Sequence, residues 1–304
     1  MNRRFGIALI CMLAIVFDAA AGNVAPVPDS IRSLRLYRDV EILSDSIFAG
    51  RACGTPGAVS AAQYIADRMR RDGLEVTTRG FVTQGPGGER LVGRNVMACS
   101  VRPGARKWIV VTAYYDGLGV RDGRLYPGAD SNASGVAGLL SLADSLAGGS
   151  VLSKSCNVLL VALDGHNAGM SGAEDLWRNF MRGRDVRMAV NLDIIGSSLA
   201  PVQPYMPRYV IALGGLPYKK ALTTLAQDCG LSIYYDYYRS KDFTELFYRR
   251  MGDQKVWLEQ GIPSVMFTSG ITMNTNKVTD CARTLDYDQM RSRISLVIAW
   301  LRTL

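Results

Sequence analysis

A single histidine, His166, stands in 304 residues. That scarcity excludes any metal centre built on a cage of imidazoles, a common way of holding zinc. Cysteine offers no substitute, because none of the six cysteines forms a C-x-x-C pair. Zinc knuckles and thioredoxin-like redox motifs are therefore excluded too. The apolar run Ile7 to Phe17 falls short of the roughly 20 residues a membrane-spanning helix needs, so no membrane span is expected. Positive charge is scattered rather than massed. Arg68, Arg70 and Arg71 on one segment, and Arg178, Arg182, Arg184 and Arg187 on another, read as solvated helix faces. No nucleic-acid partner is expected from such a distribution. Linkers, repeats and low-complexity tracts are also missing.

What is present starts with an export signal. "MNRRFGIALICMLAIVFDAAAG" places two arginines before the apolar run and Ala19-Ala20-Ala21 after it, the three-part layout of a secretory signal peptide. Residues 1–21 are expected to be removed near Ala21. Residues 22–304 are then a single domain, exported to the periplasm or the medium. Removal of Arg3, Arg4 and Asp18 leaves 33 basic against 26 acidic residues, a net charge of +7. Export permits disulfides. The five cysteines that remain are Cys53, Cys99, Cys156, Cys229 and Cys281. An odd number leaves at least one unpaired in a monomer, and spacing does not fix the pairing.

Hydrophobic periodicity gives the fold class. From Ile31 to Arg71 the pattern is helical, interrupted by the turn-rich loop "FAGRACGTPG". Strand-like runs follow: "NVMACSV", "KWIVVTA", "CNVLLVAL", "MAVNLDII", "RYVIALGG" and "PSVMFTS". Helical segments such as "ASGVAGLLSLADSLAGG" and "LPYKKALTTLAQDCG" lie between several of them and end on glycine. The segment "TLDYDQMRSRISLVIAWLRTL" closes the chain with apolar residues at helical spacing. Strands alternating with helices predict an α/β protein with a mostly parallel sheet covered on both faces.

The loops at the strand ends carry a more specific signal. In order they read "FAGRACGTPGAVSAAQYIADRMRRDGLEV", "RNVMACSVRPG", "VVTAYYDGL", "YPGADSNASGVAGLLSLADSL", "LLVALDGHNAGMSGAEDL", "NLDIIGS" and "GIPSVMFTSG". This series resembles metallopeptidase family twenty-eight, which holds zinc aminopeptidases, glutaminyl cyclases and transferrin-receptor-like ectodomains. The resemblance runs from about Ile31 to the last helix. It implies a three-layer α/β/α sandwich around a mixed sheet of about eight strands, with two zinc ions at the strand ends. It also implies a ligand set: a His-x-Asp pair, an Asp before Asn-x-Ser-Gly, a Glu-Glu pair, an Asp in the "NLD" strand and a late His.

Most of those positions are changed in this chain. Tyr114 stands for the first histidine, with Asp116 retained two residues on. Ser131 stands for the bridging aspartate and is preceded by Asp130. His166 and Asn167 replace the two glutamates, so the general base has changed type. Asp193 is retained. Asn276 stands for the late histidine, and Gly252-Asp253-Gln254 replaces a Ser-Asp-His block. Only Asp193 of five ligands survives, so no metal is expected. Neutral Tyr, Ser and Asn cannot offset the charge of two divalent cations in a partly desolvated pocket. Tyr114 and Tyr115 are expected to fill the vacated volume, and Asp116 and Asp130 to bind loop amides. The function expected is that of a non-catalytic pseudo-peptidase whose cleft keeps an affinity for a peptide or a small ligand. The alternatives are a hydrolase using Ser131, His166 and Asp193 as nucleophile, base and orienter, and residual single-metal aminopeptidase activity. Cys281 reads as a bystander, and "YYDYYRS" at 234–240 as half-exposed strand and loop.

Overall fold

A computed structural model describes residues 29–147, 151–237 and 240–304. The expected signal segment, residues 1–21, lies outside the described residues. The chain opens with helices α1 (Asp29–Leu43) and α2 (Pro56–Arg71), then the strands β1 (Val76–Gln84), β2 (Arg90–Ser100) and β3 (Lys107–Tyr114). A small hairpin, β4 (Gly119–Arg121) and β5 (Arg124–Tyr126), leads into α3 (Ser134–Ala147) and β6 (Asn157–Leu163). Next come α4 (Ser171–Leu176), β7 (Asp185–Leu192), β8 (Tyr209–Leu213), α5 (Lys219–Asp228) and β9 (Ser232–Tyr234). The chain ends with α6 (Lys241–Arg250), α7 (Gln254–Glu259), β10 (Ser264–Thr268) and α8 (Tyr287–Leu301).

Eight strands form one mixed sheet in the order β1-β2-β6-β3-β7-β10-β8-β9. Its centre, β6-β3-β7-β10, is parallel throughout. These central strands are buried on both faces, which is why their sequences read as unbroken apolar runs. Side chains alternate across the sheet. Ile109, Val111 and Ala113 of β3 face the core under α1, α2, α3, α5 and α8. Val110 and Tyr114 face the opposite layer, beside Ala173 and Leu176 of α4 and Val256 and Trp257 of α7. Each fully buried Val or Leu contributes about 1.5–3 kcal/mol. The result is the three-layer α/β/α sandwich. Local chemistry sets the helix starts: the Thr55 hydroxyl accepts from the Ala58 amide, with Pro56 in the first turn of α2.

Several readings of the sequence need correction. Strand β1 has no apolar signature, because of its residues only Phe81 is buried. Arg68 is not solvated. It turns inward to Asp39, Asp72 and Asp144, at 3.0–3.2 Å from each. Arg184 stacks over Trp108 and Phe180, and Arg187 lies on β7. In the tyrosine-rich stretch Tyr237 is fully buried, whereas Tyr234 and Tyr235 are half-buried. Among the described residues all five cysteines are free thiols, and no helix is long and apolar enough to cross a membrane.

Candidate functional site

The carboxyl ends of parallel strands β3, β6 and β7 meet at one edge of the sheet, where α/β proteins place their functional loops. Tyr114 is the last residue of β3, His166 and Asn167 follow β6, and Asp193 follows β7. The loop after β10 brings Asn276, and the turn before α3 brings Ser131. Asn132 straps these elements together. Its amide nitrogen donates to Tyr114 O (3.2 Å) and Leu192 O (3.0 Å), and its oxygen accepts from Ile194 N (2.9 Å). Asp280 clasps the Ser131 turn by accepting from Asp130 N (2.7 Å) and Ser131 N (3.0 Å).

The side chains at the positions that the resemblance matches to metal ligands bond to one another. The Tyr114 hydroxyl lies 3.1 Å from Ser131 Oγ, which donates to Asn276 Oδ1 at 3.3 Å. The Tyr114 ring stacks on the His166 imidazole, with centroids 3.8 Å apart and planes 8° from parallel. Asp116 accepts from the amides of His166 and Asn167, each at 2.9 Å, and from the Asn167 side chain at 3.2 Å. Asp130 accepts from Gly196 N at 2.8 Å. Tyr114, Ser131 and Asp193 are buried, His166 is partly buried, and Asn167 and Asn276 are exposed at the mouth.

His166 has a partner that the sequence reading passed over. Its Nδ1 lies 2.9 Å from Asp253 Oδ2, at the start of α7. Asp253 is fully buried, and its Oδ1 makes no hydrogen bond among the described residues. Burial by itself would depress the imidazole pKa. Asp253, with Asp193 and Asp116 around it, overrides that and raises the value to about 9. At neutral pH Nδ1 therefore carries a proton and donates it to Asp253. Asp193 is pushed up to about 7 by burial, with His166 opposing and Asp253 adding to the rise. Burial, then the nearby Asp164, pushes Asp116 up to about 7.

Two placements depart from expectation. Tyr115 does not fill the site: it points into the opposite core layer, and its hydroxyl donates to Arg94 O (2.8 Å) and bonds Asp164 (3.0 Å). The nucleophile-base-orienter arrangement is not assembled either. Ser131 Oγ is engaged by Tyr114 and Asn276, and the carboxylate that orients His166 is Asp253, not Asp193. Asp253 was legible as part of a changed block.

The model of Peptidase family M28 matches residues 95–301, more than half the chain. The chain belongs to peptidase family M28. Its fold is similar to that of glutaminyl cyclase from Fimbriiglobus ruber, with a TM-score of 0.74 at 17% identity over 88% of this chain and 94% of that one. A leucine aminopeptidase precursor from Bacteroides thetaiotaomicron gives 0.69 at 16% identity, over 91% and 97% of the two chains. The glutaminyl cyclase of the same bacterium, bound to N-acetylhistamine, gives 0.68 at 16% identity, over 91% and 98%. Comparison with curated proteins returns no match.

The zinc ions that the M28 resemblance implies do not fit these side chains. A phenol, a hydroxyl and two carboxamides stand at four positions, and each is already hydrogen-bonded within the network. The imidazole Nδ1 is bound to Asp253. Among the described residues, no group of three or more His, Cys, Asp or Glu side chains is placed to hold a metal ion.

Proposed function

We propose that this chain is an exported M28-fold protein that has given up zinc-dependent hydrolysis and acts by non-covalent binding of a peptide or a small amphipathic ligand. The observation that carries the reading is the self-satisfied network at the ligand positions, Tyr114–Ser131–Asn276 and Asn167–Asp116. A peptidase needs an open position on a metal or a free activated nucleophile. Here the Tyr114 ring occupies the floor of the site against His166. Recognition is therefore left to the mouth, where Asn167 and Asn276 are exposed. Neither the aminopeptidase nor the glutaminyl cyclase activity of the structural relatives is expected.

Elemental analysis of the purified protein tests this, alongside aminoacyl and N-terminal glutaminyl substrates with and without added zinc. The expected outcome is zinc far below stoichiometry and no turnover above background. Near-stoichiometric zinc with chelator-sensitive turnover overturns the reading. Export has its own test. The intact mass of material collected outside the cytoplasm should correspond to cleavage near Ala21; a product that retains Met1 contradicts it.

A further inference from the structure

Helix α1 buries Leu36, Val40 and Leu43 against the core and turns a different set of side chains outward. Ile31 is 43% exposed and Leu34 is 55% exposed, with Arg32, Arg35 and Arg38 exposed among them. Residues 31, 34, 35 and 38 fall on one helical stripe. Beside it, Arg35, Arg38, Arg68 and Arg71 line a groove of about 320 Å³ between α1 and α2. A second cavity of about 110 Å³ shares Arg35 and adds Arg32 and Arg291.

Most acidic residues of this face are already ion-paired. Asp39, Asp72 and Asp144 converge on Arg68, and Asp144 also lies 3.5 Å from Arg35. Asp29 pairs with Arg291 at 2.8 Å, and Glu41 accepts from the Tyr37 hydroxyl. Among the described residues, Arg32 and Arg38 form no ion pair, and Arg71 donates only to Asp67 O. The surface thus carries unspent guanidinium groups around two exposed aliphatic side chains, on a chain whose net charge is +7 once residues 1–21 are removed.

We infer that this face of α1 docks on an anionic phospholipid surface, a reading that rests on the export proposed above. Guanidinium groups pair with phosphate oxygens through a planar, often bidentate fork. Arg32, Arg38 and Arg71 would take headgroup phosphates, with Arg35 shared with Asp144, while Ile31 and Leu34 enter the headgroup–acyl boundary. This is the division of labour of an interfacial helix. A soluble anion would use the arginines but leave Ile31 and Leu34 without a role, so the bilayer surface is the occupant both features fit.

The test is flotation of the exported product with phosphatidylcholine vesicles, with and without phosphatidylglycerol. Binding is expected only when phosphatidylglycerol is present, and it should weaken as salt is raised. Arg32→Ser with Arg38→Ser should lower partitioning about thirtyfold. Leu34→Ser should weaken it as well, with the salt dependence kept. Unchanged melting temperatures of these exposed-site variants show that the fold is intact. Equal binding to neutral vesicles, no binding to either, or displacement by glycerol phosphate at constant ionic strength overturns the proposal. Failure of export is read independently from the mass of the product.

Discussion

Asp253→Asn should lower the stability of the protein at pH 6, by on the order of 1–3 kcal/mol, and by progressively less as the pH rises through about 9. The size follows from the imidazole. A pKa raised from 6.5 to about 9 means that the folded state holds the His166 proton more tightly than the unfolded chain does. That preference is fully present below 6.5 and is lost as the pH passes about 9. Asn keeps the size and one oxygen of the carboxylate but removes its charge, so the loss reports the ion pair rather than a cavity. The difference between variant and wild type is the informative quantity, because the wild type has a second pH dependence of its own. Asp193, Asp116 and Asp130 are raised from 3.8 to about 7, so their contribution is present below 3.8 and fades as the pH climbs through about 7. Denaturant midpoints across this range give both profiles. A loss that does not change with pH would mean that His166 is not the charged partner of Asp253.

That pair also marks where the sequence stops being legible. The layers could be read because each central strand is a short apolar run and each covering helix has an apolar stripe. The convergence of Tyr114, Ser131, His166 and Asn276 could be anticipated because these residues sit in loops at the strand ends. The partnership of His166 with Asp253 could not be read, since it joins residues 87 apart through the packing of α7 on the sheet. The Asp280 clasp on the Ser131 turn spans 149 residues and has no local signature. Tyr115 failed for a different reason. Its amide still bonds Leu163 O beyond the end of β3, so the alternation of the strand continues and sends Tyr115 to the face opposite Tyr114. Applying the two-residue period one position further would have separated the two tyrosines. Strand β1 is not legible because, with only Phe81 buried, its sequence carries little of the hydrophobic signal.

The largest change should come from rebuilding the metal set. Tyr114→His, Ser131→Asp, His166→Glu, Asn167→Glu and Asn276→His, combined, should turn a protein indifferent to zinc into one whose melting temperature rises by about 10 °C when zinc is in large excess over its Kd. The positions are adjacent in space: Tyr114 touches Ser131 and His166, and Ser131 touches Asn276. Asn167 sits beside His166 on Asp116, and Asp193 completes the set next to Tyr114. Without metal the variant should be less stable than wild type. Three new carboxylates would join Asp193 and Asp253, and the imidazolium that now offsets them would be gone. Zinc would relieve that repulsion as well as bind, so the thermal shift should exceed what any single substitution gives; one added histidine or aspartate leaves the ion under-coordinated. A variant that retains His166 and carries the other four changes separates the two contributions, because its charge is better balanced and it should fold without metal. Tyr115 is no obstacle, since it lies in the opposite layer. Activity is a separate matter, because Asp253 and Gln254 are fully buried where the resemblance implies a Ser-Asp-His block. Zinc-dependent melting curves and calorimetric titration are therefore the readouts. A well-folded variant of either kind that ignores zinc would show that these loops do not correspond to the family's ligand loops, whatever the fold.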